Sequence, residues 1–287
     1  MGETIKKQGW GLIAGNGDFP LLVLEGARRR GIEMAVVAIR EEATPELDRR
    51  SARVHWVGLG ELGRAIDLLH QERVTRAVMA GQVKHRQIYS DIPPDHRMAT
   101  LLERLGTRNT DALIGAVARI LEHEGIELVD STMFLEPLVP RAGALTARQP
   151  TEREAADVAY GRSIARRIAE LDLGQTVVIA ECACLAIEAM EGTDQTIERA
   201  AKLAAGRPLA VVKVSKPQQD MRFDVPVVGP GTIEVMQRSH ATVLAIDAGR
   251  TLVLDRERVV EMADATGIAI EAQSLPDAPA SQGATKL

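Results

Sequence analysis

Aromatic side chains make up only 2% of this 287-residue chain, so its core has to be built from Val, Ile, Leu and Ala. A basic excess is missing as well. The net charge of -5 argues against nucleic acid as a general partner, because phosphate binding shows as a positive balance. The triplet at Arg28, Arg29 and Arg30 is a local exception that reads as a solvated helix end. Cysteine is limited to Cys182 and Cys184. Two thiols without a second cluster make neither a zinc site nor a disulfide framework, which fits a reducing cytosol. No run approaches the roughly 20 apolar residues of a membrane span. The N-terminal "MGETIKKQGWGLIAGNG" lacks an apolar segment long enough for a secretory signal. A cytoplasmic protein is expected, one that reaches any lipid from the water side.

Some catalytic signatures are absent too. His55, His70, His85, His96, His123 and His240 are scattered without metal-ligand spacing. There is no G-x-S-x-G elbow, and neither cysteine has an evident base. Nucleophilic catalysis by serine or cysteine is disfavoured on these grounds.

What is present is the balance of a globular protein, 45% apolar and 26% charged, with length for one large or two ordinary domains. Residues 1–135 alternate short apolar runs such as "GWGLIAG" and "IEMAVVAIR" with amphipathic stretches such as "ELGRAIDLLHQERV". This alternation predicts a parallel sheet covered on both faces, a Rossmann-like domain. Residues 136–150, with three prolines and no period, read as a linker. At its end Thr151 and Glu154 form a capping box for a helix with Val158, Gly161, Ala165 and Ile168 on one face. A second α/β domain is expected over 151–275, including a hairpin around 181–183, and a disordered tail over 276–287. A ligand cleft between the two domains is the expected layout.

Three stretches could carry chemistry. "GLIAGNGDFP" puts Gly15, Asn16 and Gly17 after the first strand and ahead of a helix that starts near Phe19 and Pro20. Such a loop suits a nucleotide phosphate at a helix N-terminus, or is a plain tight turn. The third glycine of the dinucleotide fingerprint is missing. "MAGQV" ends another strand in Gly81, placed to line the same crevice. In "LAIEAMEGTDQTIERAA" a strand is expected to run to Glu191, with Thr193 capping a helix whose first turn holds Asp194. Acids there are ordinary helix chemistry, or they hold a divalent cation against phosphate.

The third stretch, "KPQQDMRFDVPVVGPGT", is bracketed by prolines that favour extended backbone. A strand over 220–225 would put Asp220, Arg222 and Asp224 on one face and Met221, Phe223 and Val225 on the other. Lys213, Ser215, Lys216 and Gln219 precede it, and Thr232 reads as the cap of the next helix. A solvated edge strand and a charged-ligand site both fit, and the density of charge favours the site.

Taken together, "GLIAGNGDFP", "RNTDALIGAVARILEHEG", "LTARQPTEREAADVAYGRSIARRIAELDLGQTVV", "LAIEAMEGTD" and "VVKVSKPQQDMRFDVPVVGPGTI" resemble the LpxI-type UDP-2,3-diacylglucosamine pyrophosphatases of lipid A biosynthesis. The resemblance spans roughly 9–270. It implies a metal-dependent hydrolase that splits UDP-2,3-diacylglucosamine into UMP and 2,3-diacylglucosamine 1-phosphate. It also implies that Asp224, in the R-x-D-x-P motif, is the carboxylate on which activity depends. Gln82 stands where a lysine is expected in the family, and "ECACL" is an unusual turn.

The expected site is then as follows. Asp224, Glu191 and Asp194 are catalytic, and Asp224, Asp194 and Asp220 hold Mg²⁺ or Mn²⁺. Gly15, Asn16, Gly17, Phe19, Pro20, Gly81, Thr193, Lys213, Lys216, Gln219, Arg222 and Thr232 bind substrate. The implied partners are the lipid-linked UDP-sugar and, transiently, the cytoplasmic face of the inner membrane; a homo-oligomer is left open. The rival readings are an NAD-dependent nucleotide-sugar oxidoreductase using Gly15 and Gly17, and a non-catalytic nucleotide- or lipid-binding protein.

Overall fold

The structure is a computed structural model, and it describes residues 9–83, 93–105 and 110–275, without the side chains of Thr110 and Asp111. The expected tail, 276–287, lies outside the described residues. The chain divides into two compact units, Met1–Glu136 with Asp220–Val225, and Pro137–Gln219 with Pro226–Leu287.

In the N-terminal unit, strands β1 (Gly9–Ala14), β2 (Met34–Ile39), β3 (Val54–Val57), β4 (Val74–Ala80) and β5 (Glu127–Leu128) form one sheet in the order β3-β2-β1-β4-β5. All its pairings are parallel. Helices α1 (Phe19–Arg29), α2 (Leu47–Arg50), α3 (Leu62–Gln71), α4 (His96–Leu105) and α5 (Thr110–His123) connect or flank them. The continuous apolar run of β2, buried from Met34 through Ala38, is what a strand covered on both faces requires. In α3 the buried Leu62, Ile66 and Leu69 recur at helical spacing and turn one stripe inward. The chain moves outward from β1 to β2 and β3, then returns to the far side of β1 for β4. The carboxyl ends of β1 and β4 therefore flank a topological switch point, where open α/β sheets bind ligands.

The C-terminal unit has a mixed sheet. Its strands are β6 (Gly143–Ala144), β7 (Thr176–Ala180), β8 (Ala183–Ile187), β9 (Leu209–Lys213), β11 (Ala241–Asp247) and β13 (Ala269–Gln273), in the order β6-β13-β11-β9-β7-β8. The central three are parallel, and β6, β7 and β8 join antiparallel. β10 (Val227–Val228) and β12 (Leu252–Val253) pair separately. Helices α6 (Glu152–Glu170), α7 (Thr193–Ala204), α8 (Pro230–Arg238) and α9 (Arg256–Thr266) complete the unit. β7 and β8 make the expected hairpin around 181–183. Both turn residues, Glu181 and Cys182, have positive φ, and the buried carboxylate of Asp157 accepts both their amides, at 3.2 and 2.5 Å.

Within 136–150, residues 143–144 form the edge strand, and Arg148 donates to Gly267 O, Thr242 O and both oxygens of Glu154. Thr151 and Glu154 form the capping box of α6. Burial alone would raise the pKa of Glu154, but hydrogen bonds from Arg148, Thr242 and Thr151 hold it at about 2. A depressed carboxyl pKa contributes stability above its unfolded value of about 4.5, and this is lost as pH falls toward about 2. Urea unfolding of wild type and Glu154→Gln should therefore differ at neutral pH and converge between about pH 4.5 and 2. A gap that stays constant across that window would contradict this account.

Several expectations need correction. β8 stops at Ile187 and does not reach Glu191. Thr193 is the first helical residue of α7, and Gly192 is its cap, at φ +84. A glycine reaches that backbone without strain, and the threonine hydroxyl is used elsewhere. Gly229, not Thr232, caps α8, because Pro230 already occupies the first turn and the cap must precede it. Residues 220–225 are not a strand but a turn, described next.

Candidate active site

At the carboxyl ends of β1 and β4 two glycine turns are tied together. Asn16 N donates to Gln82 O at 2.8 Å and Gln82 N returns to Asn16 O at 3.1 Å. Gly81 has φ +92, and a Cβ there would lie 2.6 Å from Asn16 O, so no other residue fits without moving backbone. Gly15 is equally confined, 2.8 Å from Gln82 O. Gly17 by contrast, at φ +90, has open space around it. α1 begins beyond it with no side-chain cap from Asp18, so its first amides face the loop uncommitted to a cap, the arrangement that attracts anions. Phe19 and Pro20 are buried beneath.

The segment 220–225 packs into this same unit. Asp220 O accepts the amides of Phe223 (3.1 Å) and Asp224 (2.9 Å). Its side chain accepts the amide of Arg222 at 3.1 Å. This local aspartate bond makes a turn where alternation alone suggests a strand. Ser131, fully buried three residues beyond β5, anchors it: its amide donates to Met221 O at 2.9 Å. The hydroxyl lies 2.5 Å from Arg222 O and 2.6 Å from Met79 O in β4. Phe223 packs against the core cluster that contains Ala116 and Leu128. Arg222 forks onto both oxygens of Asp220, at 2.8 and 2.7 Å, and also pairs with Glu122. The hydrogen bonds from Arg222 hold the Asp220 carboxyl below its usual range, and Asp220, then Glu122, raise the guanidinium. The half-buried Asp224 follows directly. Ser131 thus brings this turn to the carboxyl end of β4, two residues from Gly81.

A second polar cluster lies at the carboxyl edge of the C-terminal sheet. Thr193 Oγ1 accepts from Lys213 Nζ at 2.8 Å, lies 3.2 Å from Thr176 Oγ1 and donates to Glu188 Oε1 at 3.0 Å. Glu188 is buried, and its other oxygen accepts Gln175 N. Asp194 has an exposed side chain. Desolvation pushes its carboxyl up nonetheless, with Lys213 and Arg238 opposing. Glu191 is held by Ala189 N and Arg199. Its own backbone amide and Arg199 depress its pKa, leaving it a weak base. Lys216 pairs with Asp172 at 2.7 Å, and its amide donates to the buried Gln219. Thr232 sits in the first turn of α8.

Two family models divide the chain at the same region as its compact units: LpxI N-terminal domain matches residues 9–138 and LpxI C-terminal domain matches 141–271. The chain belongs to the LpxI family. Over 268 residues it is 35% identical to the UDP-2,3-diacylglucosamine pyrophosphatase LpxI of Caulobacter vibrioides, covering 90% of this chain and 95% of that one. Among solved structures, the biotin carboxylase domain of Hydrogenobacter thermophilus 2-oxoglutarate carboxylase aligns at TM-score 0.26 and 14% identity, over 70% of this chain and 43% of that one. N5-carboxyaminoimidazole synthetase of Staphylococcus aureus aligns at TM-score 0.25 and 11% identity, over 71% and 46%. At these scores neither bears on function.

In this LpxI-family chain the three carboxylates expected at a metal do not share one unit: Asp220 and Asp224 belong to the N-terminal unit and Asp194 to the C-terminal one. Both oxygens of Asp220 are also committed to Arg222. Among the described residues no three His, Cys, Asp or Glu side chains group as a metal cage. The donor set fits only the mode in which Mg²⁺ takes one carboxylate and completes its shell with phosphate oxygens and water.

Ser131, Arg162 and Asp247 were not singled out by sequence reasoning, and Ser215 only as a residue preceding the charged stretch. For Asp247 a signal exists: an acid closing the apolar run "ATVLAID" at a strand's carboxyl end. Ser131 carries none, since its role is to bond backbone 90 residues away.

Proposed function

We infer that this LpxI-family chain hydrolyses the pyrophosphate bond of UDP-2,3-diacylglucosamine, releasing UMP and 2,3-diacylglucosamine 1-phosphate. The relationship along nearly the whole chain carries the reading. The structural support is that Ser131 ties the 220–225 turn, which carries Asp224, to the carboxyl end of β4, two residues from Gly81 and next to the switch point.

A diphosphate resists hydrolysis because its own negative charge repels a nucleophile. The Gly15–Gly17 loop and the first amides of α1 are proposed to take a phosphate of the nucleotide. Asp224 is proposed to orient the attacking water and accept its proton. A divalent ion, when bound on Asp224, would offset charge on the phosphate oxygens. Arg222 serves that site by locking the turn through Asp220 and Glu122, and Lys213 and Lys216 are the cations proposed for phosphate oxygens in the C-terminal unit. Glu191, already engaged by Arg199, is better placed to hold the start of α7 than to act as a base. No helix among the described residues is long and apolar enough to cross a membrane, and we propose that the protein meets its lipid substrate from the water side, in transient contact with the inner membrane surface.

Purified protein incubated with UDP-2,3-diacylglucosamine should release UMP, measured by chromatography. A chelator should abolish release, and Mg²⁺ or Mn²⁺ should restore it. Absence of UMP under any metal condition would sink the hydrolase reading. Undiminished release in excess chelator would remove the metal from it. Tight stoichiometric NAD(P)H binding would favour an oxidoreductase instead.

A further inference from the structure

Asp247 closes β11 and is fully buried. Val243 and Ala245 of this strand pack in one cluster with Val158 and Ala165 of α6, so the alternation turns Asp247 toward α6 as well. One carboxylate oxygen accepts Ser215 N (2.7 Å) and Ser215 Oγ (2.9 Å), and the other accepts Arg162 Nη2. That nearly exhausts the acceptor sites of a carboxylate. Arg166, one helical turn beyond Arg162, comes only to 3.9 Å of the same group, too far for a hydrogen bond.

Arg166 is therefore unusual. Its side chain is 29% exposed, yet it makes no hydrogen bond among the described residues. Arg162, 7% exposed, keeps a buried Nη1 without a partner. Two guanidiniums share one carboxylate. Leaving the buried Arg162 Nη1 without an acceptor is costly. Two guanidiniums beside one carboxylate, the outer of them open to solvent, leave excess positive charge that an anion can reach. Arginine's planar fork matches phosphate oxygens. The location, at the carboxyl edge of β9 and β11, is where α/β sheets receive ligands.

We propose that Arg166, backed by Arg162, binds a phosphoryl group at the carboxyl edge of the C-terminal sheet. The group is either part of the substrate's diphosphate or free phosphate. The assignment goes beyond the hydrolase reading, and binding can be measured without turnover.

The experiment titrates inorganic phosphate into the full chain, followed by calorimetry, with wild type, Arg166→Gln and Arg166→Lys. Arg166 is partly exposed and makes no hydrogen bond, so both variants should fold, as thermal unfolding will check. Arg166→Gln should weaken phosphate binding at least about tenfold, and Arg166→Lys, which keeps the charge, should recover part of it. A parallel rise in KM for the lipid nucleotide would identify the substrate's phosphoryl group. Weakened phosphate binding with unchanged KM and kcat would identify a site for free phosphate. Wild type that binds no phosphate, or Arg166→Gln that binds it like wild type, overturns the proposal. If wild type binds phosphate but releases no UMP, the hydrolase reading fails and this one stands.

Discussion

Asp224→Ala is expected to lower UMP release by more than about 10²-fold, the usual loss for a positioned catalytic carboxylate, while the protein remains folded. The second half follows from how the turn is held. Asp220 accepts the amides that shape it, Ser131 ties it to β4, and Phe223 anchors it in the N-terminal core. Removing the half-buried Asp224 side chain leaves those bonds in place. Asp224→Asn should lose nearly as much activity, because an amide neither takes up a proton nor carries charge. Ser131→Ala makes the contrast: it leaves the carboxylate but loosens its support, so a smaller fall in kcat is expected together with lower stability. A pure, folded Asp224→Ala protein turning over near the wild-type rate would show that Asp224 is not the reacting carboxylate.

The largest stability loss is expected from Asp247→Ala, about 3–5 kcal/mol, the range for removing one partner of a buried ion pair. The substitution strands Arg162, of whose contacts Asp247 is the charged one, and leaves Ser215 N and Oγ without their acceptor. Both are buried, so water cannot substitute cheaply. Ser215 also starts the loop that carries Lys216 and Gln219, so this region should loosen first, with faster amide exchange. Urea unfolding measures the total. A loss below about 1 kcal/mol, the size of an exposed pair, would mean that the network is hydrated and carries little weight.

How much of this could be read without coordinates depends on distance along the chain. β1, β2 and most of β9 are apolar runs, and α3 carries its stripe at helical spacing; these patterns act over a few residues. The same holds for the capping box of Thr151 and Glu154, which is complete within four residues. Gly15, Gly17 and Gly81 were legible as turn glycines, though not that Gly15 and Gly81 are each confined by the other's turn. Where local signals competed, the reading failed. At 220–225 alternating charge and apolarity suit a strand, but Asp220 bonding the amide of Arg222 folds the same residues into a turn. At Thr193 a good cap residue lost its place to Gly192, whose positive φ is the cheaper way into the helix.

By itself, then, the chain's order of residues determined the two α/β units, most of their elements and the stretches dense in charge and glycine, because each is specified by neighbours within one or two turns or strands. Only the tertiary structure decided that residues 220–225 belong to the N-terminal unit, that Arg222 meets Glu122, and that Arg162 meets Asp247. Those outcomes rest on partners such as Glu122, Ser131 and Asp247, 85 to 100 positions away in the chain. No periodicity carries information over such a span; packing alone brings the partners within reach.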